Sequence, residues 1–288
     1  MSSTRPDPAT FLSGDAGDVT DPLRRTKRRL GEVAYSALDA LAGTRRHATR
    51  LAAMAPAPLD VLVIGVYRPG SLLAEALPEL RSERHRVRIA FGSTGPAGEP
   101  LREHTVAEGL GGGKFENLNR VLEAAGGAAD WTIVIDDDVR VPHAFLDRFV
   151  GVCEVFDLDL AQPAQTLRSH SAWKVTRRRP ASLLRETRFV EIGPVTAFRR
   201  TAAAELLPFP ELRYGWGLDL HWAALASERG WRLGVVDALA VRHESGVVAA
   251  AYLREDAVDE AARFLAERPY LHSDRAGDVL AVHRGIRA

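Results

Sequence analysis

A single cysteine, Cys153, in 288 residues excludes an intrachain disulfide and allows a cytosolic home. It shares a helical pattern with Phe145, Phe149, Val152 and Phe156, as a core residue would. Neither sign of charge is in excess. The 38 basic and 38 acidic residues cancel, which argues against wholesale nucleic-acid binding. Lysine is nearly absent, and Lys27, Lys114 and Lys174 are the only ones. That arginine bias, with abundant alanine, points to a GC-rich bacterial genome and carries no chemistry. No apolar run reaches the roughly 18 residues of a membrane span. The opening residues lack the apolar core of a signal peptide, so a cytoplasmic protein is expected. What remains is ordinary for a globular chain: 46% hydrophobic and 26% charged residues, enough for one large core with a small appendage.

Four stretches follow one another along the chain. Residues 1–21 are small, polar and rich in Pro and Gly, and are expected to form a disordered tail. Residues 22–58 read as an arginine-dense helix, to about residue 53, and a stiff Ala55-Pro56-Ala57-Pro58 linker. Leu23, Leu30, Val33, Ala34, Ala37, Leu38 and Leu41 share one helical face, which is expected to pack on the domain with the arginines solvated. The basic cluster from Arg24 to Arg29 leaves peripheral contact with an anionic membrane as the alternative. Residues 59–271 alternate apolar runs with helical patterns, which predicts an α/β domain with a mostly parallel sheet flanked by helices. Its expected strands are 59–66, 86–91, 131–136, 189–198 and 231–236. Its expected helices are 71–80 (capped by Ser71), 114–125, 143–156, 220–229 and 247–267. Residues 272–288 read as a C-terminal tail.

Trp131-Thr-Ile-Val-Ile-Asp-Asp-Asp138 is the most informative segment. An apolar run without polar alternation is a strand buried on both faces of a parallel sheet. Ligands of such sheets bind beyond the carboxyl ends of the strands, where these acids fall. Residues two apart share a face, so Asp136 and Asp138 can converge on one cation. Carboxylate oxygens with open positions suit Mg2+ or Mn2+.

Three further stretches accompany this one: Lys114-Phe-Glu-Asn-Leu-Asn119, Tyr214-Gly-Trp-Gly-Leu-Asp-Leu-His-Trp222 and Val241-Arg-His-Glu-Ser245. Together, over about residues 60–245, they resemble the nucleotide-sugar glycosyltransferases of the GT-A fold, particularly the inverting ones. The family's Lys-x-x-x-Leu-Asn pattern before a strand bearing Asp-x-Asp is matched by Lys114, Leu118, Asn119 and Asp136–Asp138. Its Trp-Gly-x-(Glu)-Asp motif is matched by Trp216, Gly217 and Asp219, and its later metal-binding histidine by His243. The chain departs at Ala90-Phe91-Gly92-Ser93, where relatives carry acids that contact the nucleobase, and at Leu218, where many carry a second carboxylate.

The resemblance implies a Rossmann-like GT-A domain that moves a sugar from a nucleoside-diphosphate sugar to a hydroxyl-bearing acceptor, with inversion. Asp219 would be the general base, at the start of a helix expected from Leu220, where an acid also suits the N-cap. Asp136, Asp138 and His243 would hold Mn2+ or Mg2+. Tyr67, Arg68, Lys114, Asn119, Asp136 and Asp137 would contact the nucleotide sugar, and Trp216 the acceptor. Trp222 reads as core and His221 as a helix-surface residue. The arginines between 168 and 188 read as a solvated segment. A sugar-phosphate nucleotidyltransferase and a non-catalytic nucleotide-sugar-binding protein are the alternatives. Oligomeric state is unreadable.

Overall fold

The computed structural model describes residues 5–13, 22–244 and 253–285. Helices α1 (Pro22–Ala42) and α2 (Thr44–Met54) precede the sheet. Strand β1 (Asp60–Tyr67), α3 (Leu73–Ala76), β2 (Arg86–Ser93) and β3 (Thr105–Ala107) follow. Next come α4 (Lys114–Ala125), β4 (Trp131–Ile135), β5 (Val139–Arg140) and α5 (Phe145–Val155). The second half contains β6 (Leu160–Gln165), β7 (Leu184–Thr187), β8 (Val195–Arg199), α6 (Arg200–Leu206) and α7 (Leu218–Arg229). Strand β9 (Leu233–His243), α8 (Arg254–Leu265) and β10 (Val279–His283) complete it.

The strand order is β10-β7-β9-β6-β8-β4-β1-β2-β3, with β5 paired to β9. Strands β4, β1, β2 and β3 form a parallel core, and β8 joins it antiparallel to β4. The chain moves from β1 to β2 on one side and returns through α4 to β4 on the other. The carboxyl ends of β1 and β4 therefore flank the point where strand order reverses. That crevice is where open α/β sheets receive ligands. The apolar runs explain the two-sided burial. Val61 and Val63 of β1 enter one core with Ile133 and Ile135, whereas Leu62 and Ile64 enter the other with Val134. Helices α2 and α5 cover the first face through Leu51 and Phe149, while α4, α7 and α8 cover the second through Leu118, Trp222 and Phe264.

Several expectations are corrected. The N-terminal helix breaks at Gly43, whose φ of 65° is left-handed. Its apolar stripe does not pack on the domain but faces solvent: Leu30 is 67%, Val33 71% and Leu41 87% exposed. The third helix begins at Leu73 with Leu72 as its cap residue, so Ser71 caps nothing, and 3-10 turns replace its last residues. The stretch 157–188, in which the sequence pattern fades, carries β6 and β7. Its arginines are not a solvated set, since Arg185 lies bidentate on buried Asp237 and Arg178 lies between Glu32 and Asp39. Residues 189–194 are not strand, and β8 starts only at Val195. The expected C-terminal tail supplies β10, an edge strand on β7. Within the first 21 residues, Phe11 is buried and the Thr10 hydroxyl hydrogen-bonds the Tyr270 hydroxyl; residues 1–4 and 14–21 lie outside the described residues. The last helix starts at Arg254, and the expected start at Val247 falls outside the described residues.

Candidate functional site

The acids that end β4 turn to different partners as soon as the strand stops. Asp137 turns towards β1, where Arg68 donates to both of its carboxylate oxygens at 3.0 Å and the Arg68 amide adds a third bond. Asp136 turns the other way and accepts Lys114 Nζ at 2.6 Å. Asp138 faces His243, with Nε2 3.1 Å from Oδ1. Asp136, Asp138 and His243 each present one donor atom within 4.8 Å of the others.

His243 does not lie in a loop after β9 but ends that strand, opposite Val139 of β5. Its amide donates to Ser169 Oγ at 3.0 Å, and its Nδ1 lies 3.3 Å from the His170 carbonyl. Donation from Nδ1 leaves Nε2 as the basic nitrogen, the arrangement found in metal-binding histidines. Burial disfavours the charged ring, yet Asp138 outweighs it and holds the imidazole above its ordinary value. Burial likewise opposes the Asp138 charge, and His243 prevails, so that carboxyl is held low.

A second carboxylate site lies across residues 191–194. Helix α7 begins at Leu218 after Gly217, whose φ is 87°, so Asp219 is not the N-cap but sits inside the first turn. It is buried, its Oδ1 accepts from the Leu220 amide at 3.0 Å, and burial pushes its pKa up to about 7 against the pull of the Leu220 and Ile192 amides. The same Ile192 offers its carbonyl to Lys114 at 3.4 Å, and the Pro194 carbonyl accepts the Asp136 amide at 2.9 Å. One short backbone bridge thus joins Asp219 to the acidic end of β4. Gly193 lies between them for lack of room, because a Cβ there would stand 2.8 Å from Asp136 Oδ2 and 3.2 Å from Lys114 Nζ. Gly193→Ala is expected to displace the Lys114–Asp136 pair, and any activity of this site is expected to fall with it about 10²-fold, the scale of a misplacement near 1 Å. Comparison of steady-state rates with melting temperature separates this from unfolding.

Glu191 is the residue that sequence reasoning missed. Its carboxylate accepts from Gln165 Nε2 at 2.8 Å, and burial with the nearby Asp219 charge pushes its pKa up to about 8. The available signal was a lone acid inside the apolar run Phe189-Val190-Glu191-Ile192.

Other sequence-selected residues have different surroundings. The Tyr67 ring is buried against Phe91, with its hydroxyl 2.8 Å from Thr105 Oγ1. Asn119 is drawn into a clamp, its amide nitrogen donating to the Phe209 carbonyl and its oxygen accepting the Phe209 amide, both at 2.8 Å. Trp216 is partly buried against the second core, in a loop whose 213–215 amides all donate to Glu260 of α8. Trp222 packs edge-on against Phe198 as core, and half-buried His221 lies 2.7 Å from the Pro269 carbonyl.

No protein-family model matches this sequence, and no curated protein does. Solved structures do. The mannosyltransferase PcManGT from Pyrobaculum calidifontis, in complex with GDP-Man and Mn2+, is 18% identical with a TM-score of 0.43 over 71% of this chain and 66% of its own. GalNAc-T7 with UDP, GalNAc and Mn2+ is 13% identical, with a TM-score of 0.51 over 66% of this chain and 45% of its own. S. aureus TarS 1-349 in complex with UDP-GlcNAc is 14% identical, with a TM-score of 0.49 over 71% of this chain and 65% of its own. The chain therefore spans between 45% and 66% of the length of these structures. At such identities the likeness, carried by GalNAc-T7, is one of architecture: the chain has the GT-A fold of nucleotide-sugar glycosyltransferases.

Proposed function

We propose that this chain transfers a sugar from a nucleoside-diphosphate sugar to an acceptor hydroxyl, with inversion, and that Asp219 is the general base. The observation that carries the reading is the joining of two unlike carboxylate sites by residues 191–194. One is an Asp/His cluster at the switch point of the sheet; the other is a buried carboxyl with a pKa near physiological pH. GalNAc-T7, which shares the fold, was solved with UDP, GalNAc and Mn2+.

The donor set fits a divalent cation: two carboxylates and one imidazole with its far nitrogen already oriented suit Mn2+ or Mg2+. Asp136, Asp138 and His243 would hold it. Bound there, the ion would act as a Lewis acid that neutralises charge on the departing diphosphate. Lys114, paired with Asp136, would add a second positive charge beside the same phosphates, and the Arg68–Asp137 pair would wall the site at the end of β1. Asp219 takes the proton from the acceptor hydroxyl as its oxygen attacks the anomeric carbon, and a pKa near 7 suits that role. Trp216, in the loop before α7, offers an aromatic face to the acceptor. Asn119 supports this site by holding α4 to the loop at Phe209.

A thermal-shift series with UDP, GDP, dTDP, ADP and CMP, with and without Mn2+ or Mg2+, tests the donor site. A nucleotide at one hundred times its dissociation constant adds about 2.7 kcal/mol. A metal-dependent shift with one diphosphate is expected and identifies the donor's base. No shift with any of them overturns the reading.

A further inference from the structure

Helix α1 is mounted inside out. The side it presents to the protein is polar: Glu32 accepts the Leu167 amide at 2.8 Å and pairs with Arg178. Asp39 pairs with the same Arg178 and accepts the Ala181 amide at 2.7 Å. Gly31 on this side lets the Leu167 side chain approach. The opposite side carries Leu30, Val33, Leu38 and Leu41, at i, i+3, i+8 and i+11 on one helical face, exposed by 67%, 71%, 45% and 87%. An amphipathic helix in a monomeric soluble domain buries its apolar stripe, so a stripe held outward by two acid–arginine and two acid–amide contacts marks a surface that something else covers.

Charge decides what covers it. Glu32 and Asp39 are the only acids in α1, and both are spent on the inward side. Lys27 and Arg29 are exposed on the rest of the helix, and α2 continues with exposed Arg45, Arg46 and Arg50. Arg45 and Arg46 line a cavity of about 310 Å³ with His143 and Arg148, a set of donors suited to an anionic headgroup. A second copy of this chain would set these basic residues against themselves, which disfavours self-pairing. No helix of the described residues is long and apolar enough to cross a membrane, whereas an interfacial helix needs only an apolar face with basic residues beside it.

We infer that α1 docks this protein on the surface of an anionic lipid bilayer, its Leu30–Leu41 stripe entering the headgroup boundary and the Lys27, Arg29 and α2 arginines meeting lipid phosphate. The segment gripped by α1 also orients His243, since Leu167 bonds Glu32 while Ser169 and His170 hold the histidine. Docking therefore sets the membrane beside the candidate site. The inference stands apart from sugar transfer, because vesicle binding needs neither nucleotide nor metal.

Co-sedimentation of the full chain with vesicles of phosphatidylcholine, alone or mixed with phosphatidylglycerol, is the test. Binding is expected only to the mixed vesicles, weakened by salt. Each basic residue brought to the surface is worth about 1 kcal/mol, or about fivefold. The triple variant Leu30→Gln, Val33→Gln, Leu41→Gln is expected to lose binding at least about tenfold with unchanged melting temperature, because those side chains touch little of the fold. Equal binding by parent and variant, no preference for the anionic mixture, or no binding to either vesicle overturns the inference. Dimerisation abolished by the same substitutions, without vesicle binding, also overturns it and gives the stripe to a second copy.

Discussion

Asp219→Asn is expected to lower transfer about 10²- to 10⁴-fold, the range of a lost general base, while metal-dependent nucleotide binding persists. The amide keeps the shape of the carboxylate and can still accept from the Leu220 amide, so the first turn of α7 is undisturbed. What it cannot do is take a proton from the acceptor. In the parent, kcat/KM should rise with pH and level off above about 7, where burial places the Asp219 pKa. The variant should lack that limb.

Stability supplies the control. The folded pKa of Asp219, about 7, exceeds that of an unfolded aspartate, about 3.9. The native state therefore holds the proton over that interval, and its stability falls as pH rises from about 4 through 7. Each unit corresponds to about 1.4 kcal/mol, so the ionised carboxylate costs several kcal/mol at pH 8. Asparagine never ionises. Its melting temperature at pH 8 should equal or exceed that of the parent, with the difference vanishing towards pH 4. A variant that lost stability and turnover together at pH 8 would identify Asp219 as structural and sink its assignment as base.

The parts of this fold that were legible in sequence are those whose burial is two-sided or whose periodicity is strong. Strand β4 was readable because Trp131–Ile135 are all buried, and α4 because its apolar positions recur along Lys114–Ala125. Strands β6 and β7 were not. Gln162 and Gln165 are fully buried in β6, and Arg185 interrupts β7, since its partner Asp237 lies on the neighbouring strand. A buried polar pair looks like surface until both halves are seen. Helix α1 fails for the opposite reason: its periodicity was correctly read as amphipathic, but the acids that fix its orientation pair with Arg178, 139 and 146 residues away. In the site, the Asp136, Asp138 and His243 cluster was visible as a set of residue types, and the structure brings their donor atoms together. The bridge at Ile192–Pro194 acts through backbone atoms, which no side-chain pattern announces.

Asp138→Ala should abolish the metal-dependent part of nucleotide binding and reduce transfer by about 10²- to 10⁴-fold, which corresponds to the several kcal/mol a Lewis acid supplies. The substitution removes one of the three donor atoms and also the acid that faces His243 Nε2. Calorimetric titration with Mn2+ should show the loss without any nucleotide present. The pair itself gives an independent signature in chelator. Its carboxyl is held low and its imidazole high, so the interaction stabilises the fold only between those titrations. The contribution of Asp138 is lost as pH falls through its depressed value, and that of His243 is lost as pH rises through its elevated one. Without metal, Asp138→Ala should therefore melt below the parent at mildly acidic pH and converge with it in alkali. Saturating Mn2+ should reopen the gap at alkaline pH, where the free imidazole can act as a ligand in the parent and the alanine variant lacks its oxygen partner. A gap that stayed closed there would remove the ion from this cluster and leave Asp138 and His243 as an ion pair alone.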